Sequence, residues 1–406
     1  MKSCKFFLFG ALLLMAVVAS SCSSDEDPSV VDNKRKDVAL TRAEQTLVSQ
    51  TNGFAFRLLK ALPKDKSIMV SPISVVYSLG MLNNGAAGET RKQINEVLGF
   101  GGEDANEVNT FCKKLLEEAL TLDKQTKLTM ANNIYVNKQY ELLPDFVQKV
   151  KDYYKADPER LDFGDRNTLP TINRWASDHT EGIIPEVLDE IDPATVSYLL
   201  NAIYFKGMWS TPFKKDQTKA EVFFGGKNLV EMMHGSHSFD YAESEDLQAL
   251  RMPYGNGAYS MTVLLPQKDK TLDDVLQLMT VEEWAELSAA LSEALADVKL
   301  PKFETATEIC LNDVLADLGM PKAFTSDAEF PDFCSVPTYI GHCKQVGHIK
   351  VDEEGTVAAA VTMTSMETEY YIPAERAEFH AVRPFIYIIS EKSTGAIFYI
   401  GTFQGD

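Results

Sequence analysis

The sequence predicts an α+β fold with an exposed loop near its C-terminal end, and three observations lead there. Helical and strand patterns mix with no internal repeat and no strict alternation of strand and helix. Tyr198 to Lys206 is a nearly continuous apolar run, the pattern of a strand covered on both faces. Ile349 and Val351 read as the end of a further strand. Glu353-Glu354-Gly355 interrupts it with two like charges and a residue without a side chain, before β-branched content resumes at Thr356.

Taken in order, Leu47, Phe54, Phe56, Leu58 and Leu59 recur at helical intervals between Glu44 and Ala61, and Pro63 closes that segment. Ser71-Pro72 opens a second helix, its proline tolerated in the first turn, which runs through Val75, Leu79 and Leu82 to a stop at Gly85. Glu89 to Leu98 and Glu107 to Leu122 supply two more helices. Leu128 to Val136 reads as a strand, Pro144 to Tyr154 as a helix and Ile172 to Asp178 as another. Leu247 to Pro253 and Ala258 to Leu265 flank Gly255-Asn256-Gly257, a hairpin signal. Leu272 to Leu295 is mostly helical, Asp297 to Phe303 returns to strand, and Asn312 to Leu318 is a short helix stopped at Gly319. Phe385 to Ser390 and Ala396 to Phe403 close the chain as strands paired about Ser393-Thr394-Gly395.

The stretch after Gly355 has a property that a simple connection does not need. As a strand, residues 356–369 would send Thr356, Ala358, Ala360, Thr362, Thr364, Met366 and Thr368 to one face, all uncharged. The alternate positions hold Val357, Ala359, Val361, Met363, Ser365, Glu367 and Glu369, so both carboxylates share the other face. The first face can therefore enter a core without burying an unpaired charge.

Composition is that of a globular protein, with 45% hydrophobic and 24% charged residues. At 406 residues the length suits two or three domains, or one fold held by a large mixed sheet. A net charge of −20 argues against nucleic-acid binding, since nothing replaces the counterions of a phosphate backbone.

Lys2 and Lys5 precede an apolar run from Phe6 to Ala19, too short to span a bilayer comfortably and built like a secretory signal that is removed. Ala19-Ser20-Ser21-Cys22 resembles a bacterial lipoprotein cleavage site with Cys22 lipidated, although the first of those positions is more often leucine. Ser23-Ser24-Asp25-Glu26-Asp27 resembles the acidic signal that sends such lipoproteins to the outer cell surface. The expected division is a signal peptide over residues 1–21, a lipidated acidic tether over 22–42 and a folded domain over 43–406. Acyl chains would hold the protein to the outer membrane at about 0.8 kcal/mol per buried methylene. Plain secretion is the alternative.

Once Cys4 is removed and Cys22 modified, Cys112, Cys310, Cys334 and Cys343 remain, without zinc-site spacing. Cys334 and Cys343 could pair, but buried free thiols are the preferred reading. His234 and His237 lie in a tract that reads as loop and lacks a third metal ligand, so no metal is expected. The sequence contains no Gly-x-Ser-x-Gly elbow, no His-Glu-x-x-His and no phosphate loop, and Gly255-x-Gly257 lacks the third glycine of a dinucleotide site. No enzyme and no cofactor are expected.

Several of these tracts carry a family resemblance. Glu353-Glu354-Gly355-Thr356 with the small residues after it, then Phe379-His380-Ala381-Val382-Arg383-Pro384-Phe385, resemble the hinge and following strand of the serpin reactive-centre loop. Ser71-Pro72-Ile73-Ser74, Gly85-Ala86-Ala87-Gly88-Glu89-Thr90, Asn201 to Gly207 with Trp209 and Pro212-Phe213, Leu300-Pro301-Lys302-Phe303 and Gly401 are similar to serpin motifs in serpin order. The resemblance covers roughly residues 46–404. It implies three β-sheets, eight or nine helices and inhibition of proteases by a monomer.

Residue by residue, the resemblance makes Glu353, Glu354, Gly355, Thr356, Val357, Ala358, Ala359 and Ala360 the hinge. It places Ser71, Ser74 and Asn201 in a polar cluster that governs whether the central strands part, with Gln345 where the family often has histidine; glutamine can both donate and accept there. Trp209 would fill the point where the loop enters the sheet, and Lys302 would pair with Glu353 as a half-exposed latch worth on the order of 1 kcal/mol or less.

A serine or cysteine protease would attack the loop as substrate, and residues from Thr356 onward would then insert as a new strand. Fourteen residues, 356–369, span roughly 46 Å at about 3.3 Å each. Counting from the hinge puts the reactive bond at Glu369-Tyr370, and counting back from Arg383-Pro384-Phe385 puts it near Pro373-Ala374. Tyr370 and Tyr371 lie between and suit chymotrypsin-like or papain-like pockets, while Met366 suits elastase-like or subtilisin-like ones. No Lys or Arg occurs between Glu353 and Ala374, which disfavours trypsin-like targets. The alternative is a non-inhibitory serpin used as a surface binding protein. The uncharged hinge, free of proline, argues against it.

Overall fold

Helix positions follow the punctuation of the sequence. α1 (Arg42–Ala61) starts behind Thr41, whose hydroxyl accepts the Glu44 N–H while the Glu44 carboxylate accepts the Thr41 N–H. α2 (Pro72–Asn83) carries its proline in the first turn, is apolar nearly all round and is buried along its whole length. α3 (Gly88–Leu98) stops at Gly99, which takes the left-handed conformation. α4 (Ala105–Lys114) runs into a π-helical turn at Leu115–Ala119, so the helix expected to reach Leu122 changes pitch midway. α5 (Pro144–Tyr154), α6 (Thr168–His179), α7 (Leu272–Leu278), α8 (Val281–Ala290) and α9 (Asn312–Asp317) follow. The long helix expected over Leu272 to Leu295 is broken in two because the Thr280 hydroxyl accepts the Glu283 N–H and caps α8, and from Ser292 the chain is strand.

The strands are β1 (Ile68–Val70), β2 (Lys127–Asn137), β3 (Glu159–Leu161), β4 (Ser197–Met208), β5 (Lys219–Phe223), β6 (Asn228–Glu243), β7 (Leu247–Tyr254) and β8 (Tyr259–Pro266). After α8 come β9 (Ser292–Pro301), β10 (Phe303–Cys310), β11 (His342–Asp352), β12 (Gly355–Thr356), β13 (Arg376–His380), β14 (Phe385–Glu391) and β15 (Ile397–Phe403). One sheet has the order β10-β11-β12-β4-β2-β3. The other runs β1-β15-β14-β8-β7-β6-β9-β13, with β5 on β6. β6 pairs with β5 at its start, with β7 at its end and with β9 from Met232 to Tyr241 between, so two of the three expected sheets run together. α2 lies against β2 and β4 of the first sheet and β15 of the second, at the centre of the core.

This computed structural model describes residues 33–101, 105–224, 228–356 and 375–406. Cys22 and the signal segment, the hinge residues Val357, Ala358, Ala359 and Ala360, and the bond candidates Met366, Glu369, Tyr370 and Tyr371 lie outside the described residues. Lys34–Asp406 is one unit, and packing within it begins before residue 43. Val38 is buried and donates its N–H to Ser393 Oγ at 2.9 Å, and Lys114 Nζ donates to Ala39 O at 2.6 Å. No helix among the described residues is long and apolar enough to cross a membrane.

Candidate functional site

The site is a split in the six-stranded sheet. β4 and β11 run parallel and pair from Tyr198 with His342 to Tyr204 with His348, then separate. Into the gap folds β12, two residues long, antiparallel to both: Thr356 pairs with Gly207 on one side and Val351 on the other. Gly355 makes this possible. Its φ of 148° suits glycine, and a Cβ there would lie 2.1 Å from the Gly207 carbonyl oxygen. Thr356 is fully buried, and its Oγ1 meets the Tyr254 hydroxyl at 2.7 Å. Burial pushes the Tyr254 phenol far up, so it stays neutral and able to donate or accept. The expectation that residues from Thr356 onward stay outside the sheet until the loop is cut is therefore corrected at Thr356, which already pairs with both strands because a hydroxyl and a side-chain-free slot receive it.

Below the hinge, the chain is pinned at several points. Trp209, 1% exposed, stacks on Tyr254 with ring centroids 4.4 Å apart and donates its indole N–H to Asp352 O at 3.0 Å. The backbone N–H groups of Trp209 and Phe213 donate to Glu354 O and Glu353 O, both at 2.9 Å. Lys302 Nζ lies 3.0 Å from Glu353 Oε2, and Thr218 Oγ1 donates to Glu353 Oε1 at 2.7 Å. Glu354 pairs with exposed Lys215 at 2.5 Å.

The Lys302–Glu353 pair is more buried on its acidic side than a half-exposed latch would be, since the Glu353 side chain is only 5% exposed. Burial alone would raise its pKa, but the Thr218 hydroxyl, the backbone and Lys302 outweigh that and hold it below the ordinary carboxylate value. A depressed folded-state pKa means the contribution is complete above the unfolded pKa and is lost as pH falls through the folded one. Lys302→Met is expected to cost about 1–3 kcal/mol at neutral pH, with the gap to wild type shrinking as Glu353 protonates in acid. Urea midpoints measured across that range check both points.

Deeper in the sheet, the predicted polar cluster is assembled. Asn201 on β4 donates from Nδ2 to Ser74 Oγ on α2 and to Asn132 Oδ1 on β2 at 2.5 Å. Gln345 on β11 donates to Asn201 Oδ1 at 3.2 Å and to Ser71 O at 3.1 Å, and accepts the Ser71 N–H at 2.9 Å. Ser71 thus takes part through its backbone, while its hydroxyl has no hydrogen-bond partner. One cluster ties α2 to the two strands flanking the split and to their neighbour β2.

Sequence reasoning missed Asn132, Ser78, Thr218 and Tyr254. Asn132 lies directly opposite Asn201 in the β2–β4 register and accepts from Ser78 Oγ at 3.0 Å. Its polarity inside the apolar run from Leu128 to Val136 was a usable signal, as it was for Asn201. Thr218 and Tyr254 come from distant segments with no local mark. His234 and His237 are on β6, not in a loop, and three residues apart on a strand they point to opposite faces, which rules out a shared ion. Among the described residues no three His, Cys, Asp or Glu side chains cluster so as to hold a metal ion. Cys112, Cys334 and Cys343 are buried and Cys310 exposed, all free.

A family model described as Serpin (serine protease inhibitor) matches residues 49–404. Serpin B4 of Homo sapiens is 32% identical over 380 residues, covering 86% of this chain and 97% of its own. Neuroserpin of Gallus gallus is 29% identical, with 85% and 88% covered. Among solved structures, a thermophilic serpin, tengpin, in its native state superposes with a TM-score of 0.82 at 30% identity, covering 91% of this chain and 97% of that one. A thyroxine-binding globulin complex with thyroxine shares the fold, with a TM-score of 0.78 at 24% identity over 88% and 98% of the two chains. The match over the chain's length, together with the split sheet, the seated hinge and the buried cluster, places this chain in the serpin family of protease inhibitors.

Proposed function

We propose that the protein traps serine or cysteine endopeptidases by letting them cleave the loop after Thr356 and then drawing that loop into the split between β4 and β11. The observation that carries this is the inward side chain of Thr356. With residue 356 facing the core, Ala358, Ala360, Thr362, Thr364, Met366 and Thr368 would follow it inward on insertion, and Glu367 and Glu369 would face solvent. The uncharged face is thus the one the core receives.

The register of β12 supplies a second support. Extended without a bulge, it brings Thr362 opposite both Asn201 and Gln345, where a hydroxyl can enter the polar cluster that the strand displaces. The parallel pairing of β4 with β11 would be replaced by two antiparallel ladders, which are the better-bonded arrangement. The acyl-enzyme formed at Glu369-Tyr370, Tyr371 or Met366 would travel with the strand, and displacement of its catalytic groups by about 1 Å costs roughly a hundredfold in rate. The targets are chymotrypsin-, elastase-, subtilisin- or papain-like. Trypsin-like enzymes lack a basic side chain to bind.

The N-terminal segment supports anchoring through a lipid on Cys22 at the outer membrane surface, with a monomeric inhibitor held outside the cell. Incubating the chain with elastase, chymotrypsin, subtilisin and papain should give covalent complexes that survive boiling in detergent, and mass spectrometry should place the cut between Met366 and Ala374. Clean cleavage by every protease without any complex would instead favour a non-inhibitory binding protein.

A further inference from the structure

We propose that the cleft between the turn joining β8 to α7 and the Arg383-Pro384 corner binds an amphipathic monoanion of fatty-acid type, with its carboxylate on Arg383. The cleft has a volume of about 440 Å³, within the range of small-molecule sites. Its apolar lining comes from Phe224, Pro266, Leu272, Leu276 and Pro384.

Two features mark the cleft as more than a groove between elements. Phe224 is 65% exposed and has a φ of 32°, a conformation that bulky side chains rarely adopt. Its N–H is held by Val382 O at 2.9 Å, so the fold keeps a strained aromatic ring standing at the edge of the cleft. Arg383 is half-buried and donates from Nε, at 2.7 Å, and from Nη2 to the Pro266 carbonyl oxygen, with no ion pair among the described residues. Burial pushes its pKa down, as expected for a cation removed from water without a counter-charge.

The surrounding charges favour one anionic head. Lys64, Lys268 and Lys270 join Arg383 in the lining, against Asp269 and Asp273. Lys64 pairs with Asp273, and Lys270 pairs with Asp246 at 2.6 Å, which leaves Arg383 and Lys268 against Asp269, a net single positive charge that matches one anionic head. In a chain of net charge −20 this is a locally positive spot. Arg383, Lys268 and Asp269 also line a second cleft that is rich in carboxylates, with Glu243, Glu245 and Glu378, so the apolar side is the one that suits an anionic amphiphile. The apolar lining disfavours a small inorganic anion, and a guanidinium bonded only to a carbonyl, with no counter-charge, disfavours a neutral hydrocarbon.

Isothermal titration of residues 34–406, a unit with its own core, against decanoate, decanol and acetate tests the assignment. Decanoate should bind at least about tenfold more tightly than either of the others, and Arg383→Gln should remove at least about tenfold of its affinity. Should that variant fail to fold, Lys268→Gln, Phe224→Ala and Leu272→Glu alter the lining at exposed or half-exposed positions and should each weaken decanoate several-fold. Equal affinity for decanoate and decanol, or binding unchanged in all the lining variants, would overturn the proposal. The measurement does not involve a protease, so its outcome is independent of the inhibitory mechanism.

Discussion

Replacing Thr356 by arginine is expected to convert the protein from a trap into a substrate. The threonine is fully buried between β4 and β11, with its hydroxyl on Tyr254. Arginine there would place an unpaired cation in the core at a cost of about 3–5 kcal/mol, and nothing within the split offers a counter-charge: the carboxylate of Glu353 is already engaged by Lys302 and Thr218. Insertion competes with hydrolysis of the acyl-enzyme, so a barrier raised by about 3 kcal/mol shifts that competition roughly a hundredfold toward release of active protease. The fold should survive, because the two hinge residues can leave the split for solvent. Detergent-stable complex should fall nearly to nothing in Thr356→Arg and persist in Thr356→Ser, measured by the molar ratio of inhibitor needed to silence the protease. An unchanged yield of complex with arginine at 356 would count against insertion.

The second large effect is expected at Asn201. Asn201→Ala removes the hub of the cluster: the Ser74 hydroxyl is left unsatisfied, while Asn132 and Gln345 each lose one bond and keep those to Ser78 and to the Ser71 backbone. An unsatisfied buried polar group costs about 1–3 kcal/mol, so the intact protein should lose about 2–4 kcal/mol, read as a lower urea midpoint with an unchanged slope. The inserted form should lose less, since a strand entering with Thr362 opposite Asn201 and Gln345 must already break the bond between them. The stability gap between intact and clipped protein should therefore widen in the variant.

How much of this was legible in the sequence depends on the range of the interactions involved. α5 lies at Pro144–Tyr154, and β14 and β15 lie about Ser393-Thr394-Gly395, because proline, periodicity and turn residues are local signals. The inward face of the loop was readable for the same reason, since strand periodicity needs no knowledge of partners. β6 was not readable: His234, Gly235, Ser236 and His237 have little strand character, and they are held as strand by the ladder to Ala296–Lys299 of β9, a segment about 60 residues away. The early seating of Gly355 and Thr356 was hidden too. It depends on the Gly207 backbone and the Tyr254 hydroxyl, from segments about 150 and 100 residues away respectively, meeting at one point. Thr218 likewise reaches Glu353 only through the tertiary fold.

β12 is a strand two residues long between β4 and β11, and on the proposed mechanism the energy for trapping comes from completing it. The direct test is calorimetric: nick the loop with a catalytic amount of protease, confirm by mass spectrometry that both pieces remain associated, and compare thermal unfolding of nicked and intact protein. The nicked form should melt well above the intact one. A nicked protein melting at or below the intact temperature would contradict the account.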